Sequence, residues 1–121
     1  MRNIMTALLV VVCAQVSLGQ LSGALSGTLG PGEYHIVATI SIESGDSLVL
    51  MPGTTFNFDG PYPFLVYGIL FAEGTESDSI TFTTDTLANL DRWYGLQFKY
   101  STSSGSRLAY CVIEYGQADS T

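Results

Sequence analysis

A chain of 121 residues is enough for one small domain. Eleven Asp and Glu stand against four Lys and Arg, which argues against a phosphate-backbone binder built on clustered bases. With 46% apolar residues and only 12% charged, the chain can bury a core and does not read as a disordered polymer.

Met1-Arg2-Asn3 gives a short positive start, and Ile4 to Ala14 is an apolar run broken only by Thr6, too short to cross a bilayer as a helix. Ser17 and Gly19 then place small residues three and one positions before Gln20. Residues 1–19 therefore read as a secretory signal peptide cut between Gly19 and Gln20, and the protein is expected to be secreted or on the cell surface. A buried first helix is the alternative. Val12 before Cys13 does not suit a lipoprotein signal. Cys13 leaves with the leader, so Cys111 remains alone and no internal disulfide can close. No later segment is long and apolar enough to span a membrane.

Residues 20–30, rich in Ser, Gly and Leu, read as a lead-in or cap. From residue 31 to 121 the chain alternates apolar and polar positions in short runs. Ile40 and Ile42, Leu48 and Leu50, Phe56 and Phe58, Ile80 and Phe82, and Leu96 and Phe98 each skip one residue, the period of a half-buried strand. Gly45-Asp46, Pro52-Gly53, Asp59-Gly60, Gly74-Thr75 and Gly105-Ser106 punctuate these runs as turns. The interior is expected to hold Leu48, Leu50, Phe56, Phe58, Leu70, Ile80, Phe82, Leu96 and Phe98. Nothing after residue 20 has a helical period, so the fold class is all-β.

Glycines 32, 53, 74, 95 and 116 fall 21 residues apart, and SLVLMPGT (47–54) aligns on GILFAEGT (68–75) at the same interval. Internal periods of this size mark solenoids, in which each unit buries its inward face against the next. The reading is a parallel β-helix of about four to five coils with a period of about 21 residues, its corners set by turns such as Pro52-Gly53 and with Thr54 and Thr75 bonding locally or stacking between coils. A meandering β-sandwich also gives alternating strands, but not matched blocks. The six residues after Tyr115 are too few to cover a coil end. The chain is thus expected to be truncated at its C-terminus, the front of a longer protein, or to associate end to end.

The runs GEYHIVATISIESGDSLVLMPGTTFNFDG, FLVYGILFAEGTESDSITFT, WYGLQF and SRLAYCVIEYG resemble the right-handed parallel β-helix regions of secreted bacterial surface proteins, in the broad pectin-lyase-like group. The resemblance covers roughly residues 30 to 117. It implies a right-handed parallel β-helix within a long modular surface protein, acting as a non-catalytic scaffold. It is less specific for function, because the group also holds polysaccharide lyases and hydrolases.

The residues themselves offer little chemistry. A catalytic Cys111 would want a histidine, and His35, the one available, sits in the strand-like run YHIVATISI. Arg92, Lys99 and Arg107 are the only basic residues after the leader, the wrong balance for an acidic polysaccharide. Asp78, Asp85, Asp91, Glu73 and Glu76 lie in or beside loops, where solvated turn acids are the ordinary reading and a calcium site the sharper one. Trp93 and Tyr94 are candidate surface-binding aromatics for a sugar, with Tyr62 and Tyr100. Adjacent in a strand, Trp93 and Tyr94 should point to opposite faces, one to the core and one outward. The sequence thus predicts a non-catalytic adhesive or structural scaffold without cofactor, whose partners are carbohydrate or another surface protein and not nucleic acid. The alternative is the front part of a β-helix carbohydrate-active enzyme whose catalytic coils lie elsewhere.

Overall fold

The computed structural model describes residues 17–87, 90, 92–99 and 105–116. Residues 1–16 of the expected leader, including Cys13, lie outside them, as do Asp91 and Tyr100. Among the described residues there is no helix, and the chain forms β1 (Ser17–Ala24), β2 (Gly27–Leu29), β3 (Gly32–Ile42), β4 (Ser47–Leu50), β5 (Thr54–Phe58), β6 (Phe64–Val66), β7 (Ile69–Glu73), β8 (Ile80–Thr84), β9 (Leu96–Phe98), β10 (Arg107–Ala109) and β11 (Cys111–Ile113).

Every pairing between these strands is parallel. A meandering sandwich would show antiparallel hairpins, so that alternative is excluded. One sheet runs β9-β6-β3-β5-β8-β11, with β1 also on β3, and the other runs β10-β7-β4-β2. The long β3 serves twice and curls the larger sheet: Gly32–Ile36 pair with β5, whereas Ile40–Ile42 pair with β6. The parallel strands thus form a curled larger sheet beside a smaller one.

The core follows from period two. Within β5 the burial alternates, with Thr54, Phe56 and Phe58 inside, and β8 repeats this at Ile80, Phe82 and Thr84. Because parallel partners in register present the same face, Leu48 lies beside Leu70 and Phe56 beside Phe82, and the apolar side chains form continuous columns. Phe56 sits at the centre, edge-on to Tyr34 at 5.9 Å and to Phe82 at 5.7 Å between ring centroids. Each fully buried Phe or Leu contributes about 1.5–3 kcal/mol from water exclusion.

The expected period needs correction. Gly27 pairs with Leu48, a step of 21, but Ser47 pairs with Ile69 and Gly32 with Thr54, steps of 22. Later layers are longer, since Phe64 pairs with Leu96 and Phe71 with Arg107. The match of SLVLMPGT to GILFAEGT is thus one residue out of register, and a one-residue slip would turn Leu48 and Leu50 to the wrong face. The insertion around Thr75 to Asp78 explains the false match: the shared Gly-Thr belongs to different parts of two turns.

At the Pro52-Gly53 corner, Gly53 has φ +86°, which favours glycine. Its carbonyl accepts from Gly32 N at 3.2 Å, and its N–H donates to Asp78 O at 3.2 Å, so one corner ties together three layers. Thr54 is buried and donates its hydroxyl to Met51 O at 2.7 Å, whereas Thr75 is exposed and accepts from Asp78 N at 3.1 Å. The two threonines bond locally and do not stack. Gly68 has a different reason: a Cβ there would run into the carbonyl oxygens of Glu43 and Asp46.

Two of the expected inward residues face the core but are only partly covered. Leu96 is half-buried but packs against the core, and Phe98 is 42% exposed although it lies over buried Val66, because no strand covers it among the described residues. The expected lead-in of residues 20–30 carries strand: β1 and β2 pair with β3 and β4.

Candidate functional site

The outward face of the larger sheet carries the most organised polar chemistry. In β3, Ile36 points inward beside Phe58, so its neighbour His35 points out. The parallel register then lines up Gln20, His35, Asn57 and Thr83 on successive strands. Thr83 extends the row by donating its hydroxyl to Glu114 Oε2 at 2.8 Å.

His35 is the centre of this row. Its Nδ1 lies 2.8 Å from Asp59 Oδ1, and its Nε2 lies 3.8 Å from Glu33 Oε2. Asn57 Nδ2 donates to the same Glu33 oxygen at 3.0 Å. The hydrogen bond to Asp59 holds the imidazole above its ordinary pKa; partial burial works against this, and the charges of Asp59 and Glu33 add to the rise. A raised folded-state pKa favours folding fully below the unfolded value near 6.5, and the gain is lost as pH rises through the folded pKa. The side chain is 34% exposed, so solvent screening keeps the gain to that of a surface pair, about 0.2–1 kcal/mol. An NMR pH titration of the His35 ring protons should give a midpoint above 6.5, and Asp59→Asn should bring it down. An unchanged midpoint in that variant would remove Asp59 as the cause.

Cys111 makes no pair with this histidine. It stands beside buried Ile80 on the inner face, whereas His35 is on the outer face. Its Sγ lies 3.1 Å from Ala72 O, and burial raises the thiol pKa, the opposite of an activated nucleophile.

Two of the acidic loop residues serve turns. Asp78 closes the bend from Thr75, and Asp85 Oδ1 accepts from Leu87 N at 3.0 Å. Among the described residues no three or more His, Cys, Asp or Glu gather in a way that would hold a metal ion.

The aromatic candidates part company. Trp93 is fully buried, stacked on Phe58 at 4.2 Å and 17°, with its indole N–H donated to Glu114 O at 2.8 Å. It offers no face to a sugar, which corrects its candidacy as a surface residue. Tyr94 is half-buried; its N–H donates to Tyr62 O at 3.1 Å, and its carbonyl accepts from Gln97 Nε2 at 3.0 Å. Tyr62 leans on the core. Of the expected platform, Tyr62 and Tyr94 are both half-buried among the described residues. Gly19 and Gln20, the residues flanking the expected cleavage, lie in β1 beside Tyr34 and His35. Cleavage there would leave Gln20 to Ala24 to pair with β3.

The His35–Asp59 contact escaped the sequence reading because the partners are 24 residues apart and meet only through the strand register. The one signal for it was the 22-residue step itself, which sets His35 beside Asn57, two positions before Asp59.

No family model matches the chain. No solved structure matches it. Among curated proteins it is similar to Protein bark beetle of Drosophila melanogaster, at 40% identity over 52 residues, which is 43% of this chain and 2% of that protein. The match thus spans a very small part of the curated relative. Among the described residues no helix is long and apolar enough to cross a membrane.

Proposed function

We propose that the chain is a right-handed parallel β-helix of the pectin-lyase-like kind, serving outside the cell as a non-catalytic structural or adhesive scaffold. The observation that carries this reading is the return of the chain to the same three parallel strand positions, as in the run β2, β4, β7, β10. Parallel strands joined by crossovers are right-handed in nearly all proteins, which supports the hand. The extracellular placement is supported by the apolar leader and the small residues before Gln20. The adhesive role is supported by the outward row from Gln20 to Glu114, a polar ladder at about 4.8 Å spacing whose groups suit hydroxyl-rich ligands.

The test is to incubate the purified chain with pectate, alginate and neutral glycans while measuring both retention and turnover. Retention of a glycan without release of unsaturated products or reducing ends is expected, with Asn57→Ala weakening it. Turnover that persists through purification would overturn the scaffold reading, and failure to retain any glycan would remove carbohydrate as the partner.

A further inference from the structure

The parallel register sets His35 between two carboxylates of successive layers. Asp59, just after β5, reaches Nδ1 at 2.8 Å, and Glu33 of β3 stands 3.8 Å from Nε2. Theirs are the two charges that act on the ring. On the other side the ring lies beside Gln20 of β1, a strand without a titratable side chain. Toward β5 it lies beside Asn57, and Glu114 belongs to the next layer, on Thr83.

A neutral imidazole carries one N–H and a protonated one carries two. Only the protonated ring can present a proton to both carboxylates. In the neutral ring, whichever nitrogen keeps the proton, the other turns a lone pair on a carboxylate. Asp59 is the nearer partner, so Nδ1 keeps its N–H and the repulsion falls on Glu33.

Glu33 in turn orients Asn57. Asn57 Nδ2 donates to Glu33 Oε2 at 3.0 Å, and this is the same oxygen that lies near Nε2. The other end of the amide has no such anchor. Asn57 Oδ1 is buried and accepts no hydrogen bond among the described residues. A buried carbonyl without a donor is costly, so the amide keeps this orientation only while Glu33 holds its nitrogen.

We propose that His35 is a proton-operated latch on the polar row: the protonated ring holds Glu33 where it fixes the Asn57 amide, and the neutral ring releases both. Its use rests on the glycan reading above, because a fixed amide binds a ligand at less ordering cost than a loose one. Ligand is held more tightly on the acid side of the His35 midpoint and let go as pH rises through it. The hydrogen bond to Asp59 sets that midpoint above the ordinary histidine value of about 6.5.

Two-dimensional NMR of the labelled full chain reads the latch without a ligand. Across a pH titration the Asn57 side-chain amide signals should move with the same midpoint as the His35 ring protons. His35→Gln should abolish that movement. Glu33→Ala should abolish it too while His35 still titrates against Asp59, because the relay runs through Glu33. His35 and Glu33 are 34% and 38% exposed, so both variants should fold. Asn57 signals that stay still as His35 titrates, or that move as before in Glu33→Ala, would overturn the proposal. Retention of the neutral glycans should fall through the same midpoint in the parent and stay level in His35→Gln. Retention indifferent to pH in the parent would overturn the latch's effect on ligand. No retention at any pH, with the Asn57 response intact, would remove only the glycan reading and leave the latch standing.

Discussion

Leu50→Asp should unfold the protein. Leu50 is 1% exposed and lies between Leu29 and Ala72 in the four-stranded sheet. No basic side chain shares that column, so a carboxylate there would be desolvated and unpaired. The cost is at least several kcal/mol, set against a total stability of about 5–15 kcal/mol for a domain of this size. Loss of the cooperative thermal transition by circular dichroism is the expected reading. Val49→Asp, one residue earlier and 36% exposed, should melt within a few degrees of the parent. The pair separates the effect of facing inward from the effect of adding charge, and equal melts for the two variants would show that the inward assignment is wrong.

Trp93→Ala should cost about 3–5 kcal/mol, the range for removing a large buried aromatic. The indole lies flat on Phe58 and 6.5 Å from Phe82, and its N–H satisfies Glu114 O. It joins the loop before β9 to the segment after β11, which also meets it through the bridge from Trp93 to Gly116. Trp93→Phe keeps most of the apolar contact and leaves Glu114 O without its donor, so it should lose only about 1–3 kcal/mol. Urea denaturation of both variants checks the order. A Trp93→Ala variant as stable as the parent would mean that the ring does not pack where it is placed.

Local chemistry made much of this architecture readable in advance. Alternation places Leu48, Leu50, Phe56, Phe58, Ile80 and Phe82 inside because a strand has only two faces and water selects one. Proline and glycine mark the Pro52-Gly53 corner because the backbone there needs a positive φ. What local chemistry does not carry is the register between distant strands. A shared Gly-Thr suggested 21 residues where the central strands step by 22, and turn residues do not report which strand residues become neighbours. Trp93 shows the same limit: adjacency to Tyr94 predicts opposite faces, but only the packed position of Phe58 shows which ring goes in. The exposure of Phe98 follows from the absence of a covering strand among the described residues, a fact that its own alternating pattern cannot express. The polar row around His35 was hidden for the same reason, being assembled from residues of β3 and β5 and from Asp59 beyond.

The claim on which the rest depends is that successive layers pair in parallel at these registers. Inter-strand nuclear Overhauser contacts in isotopically labelled protein test it most directly. Backbone contacts should link the neighbourhoods of Leu48 and Leu70, of Phe56 and Phe82, and of Thr28 and Val49, each in the parallel pattern. Contacts of Leu48 with Ile69 as its direct partner, or antiparallel contacts closing β4 and β5 into a hairpin across Pro52-Gly53, would contradict it.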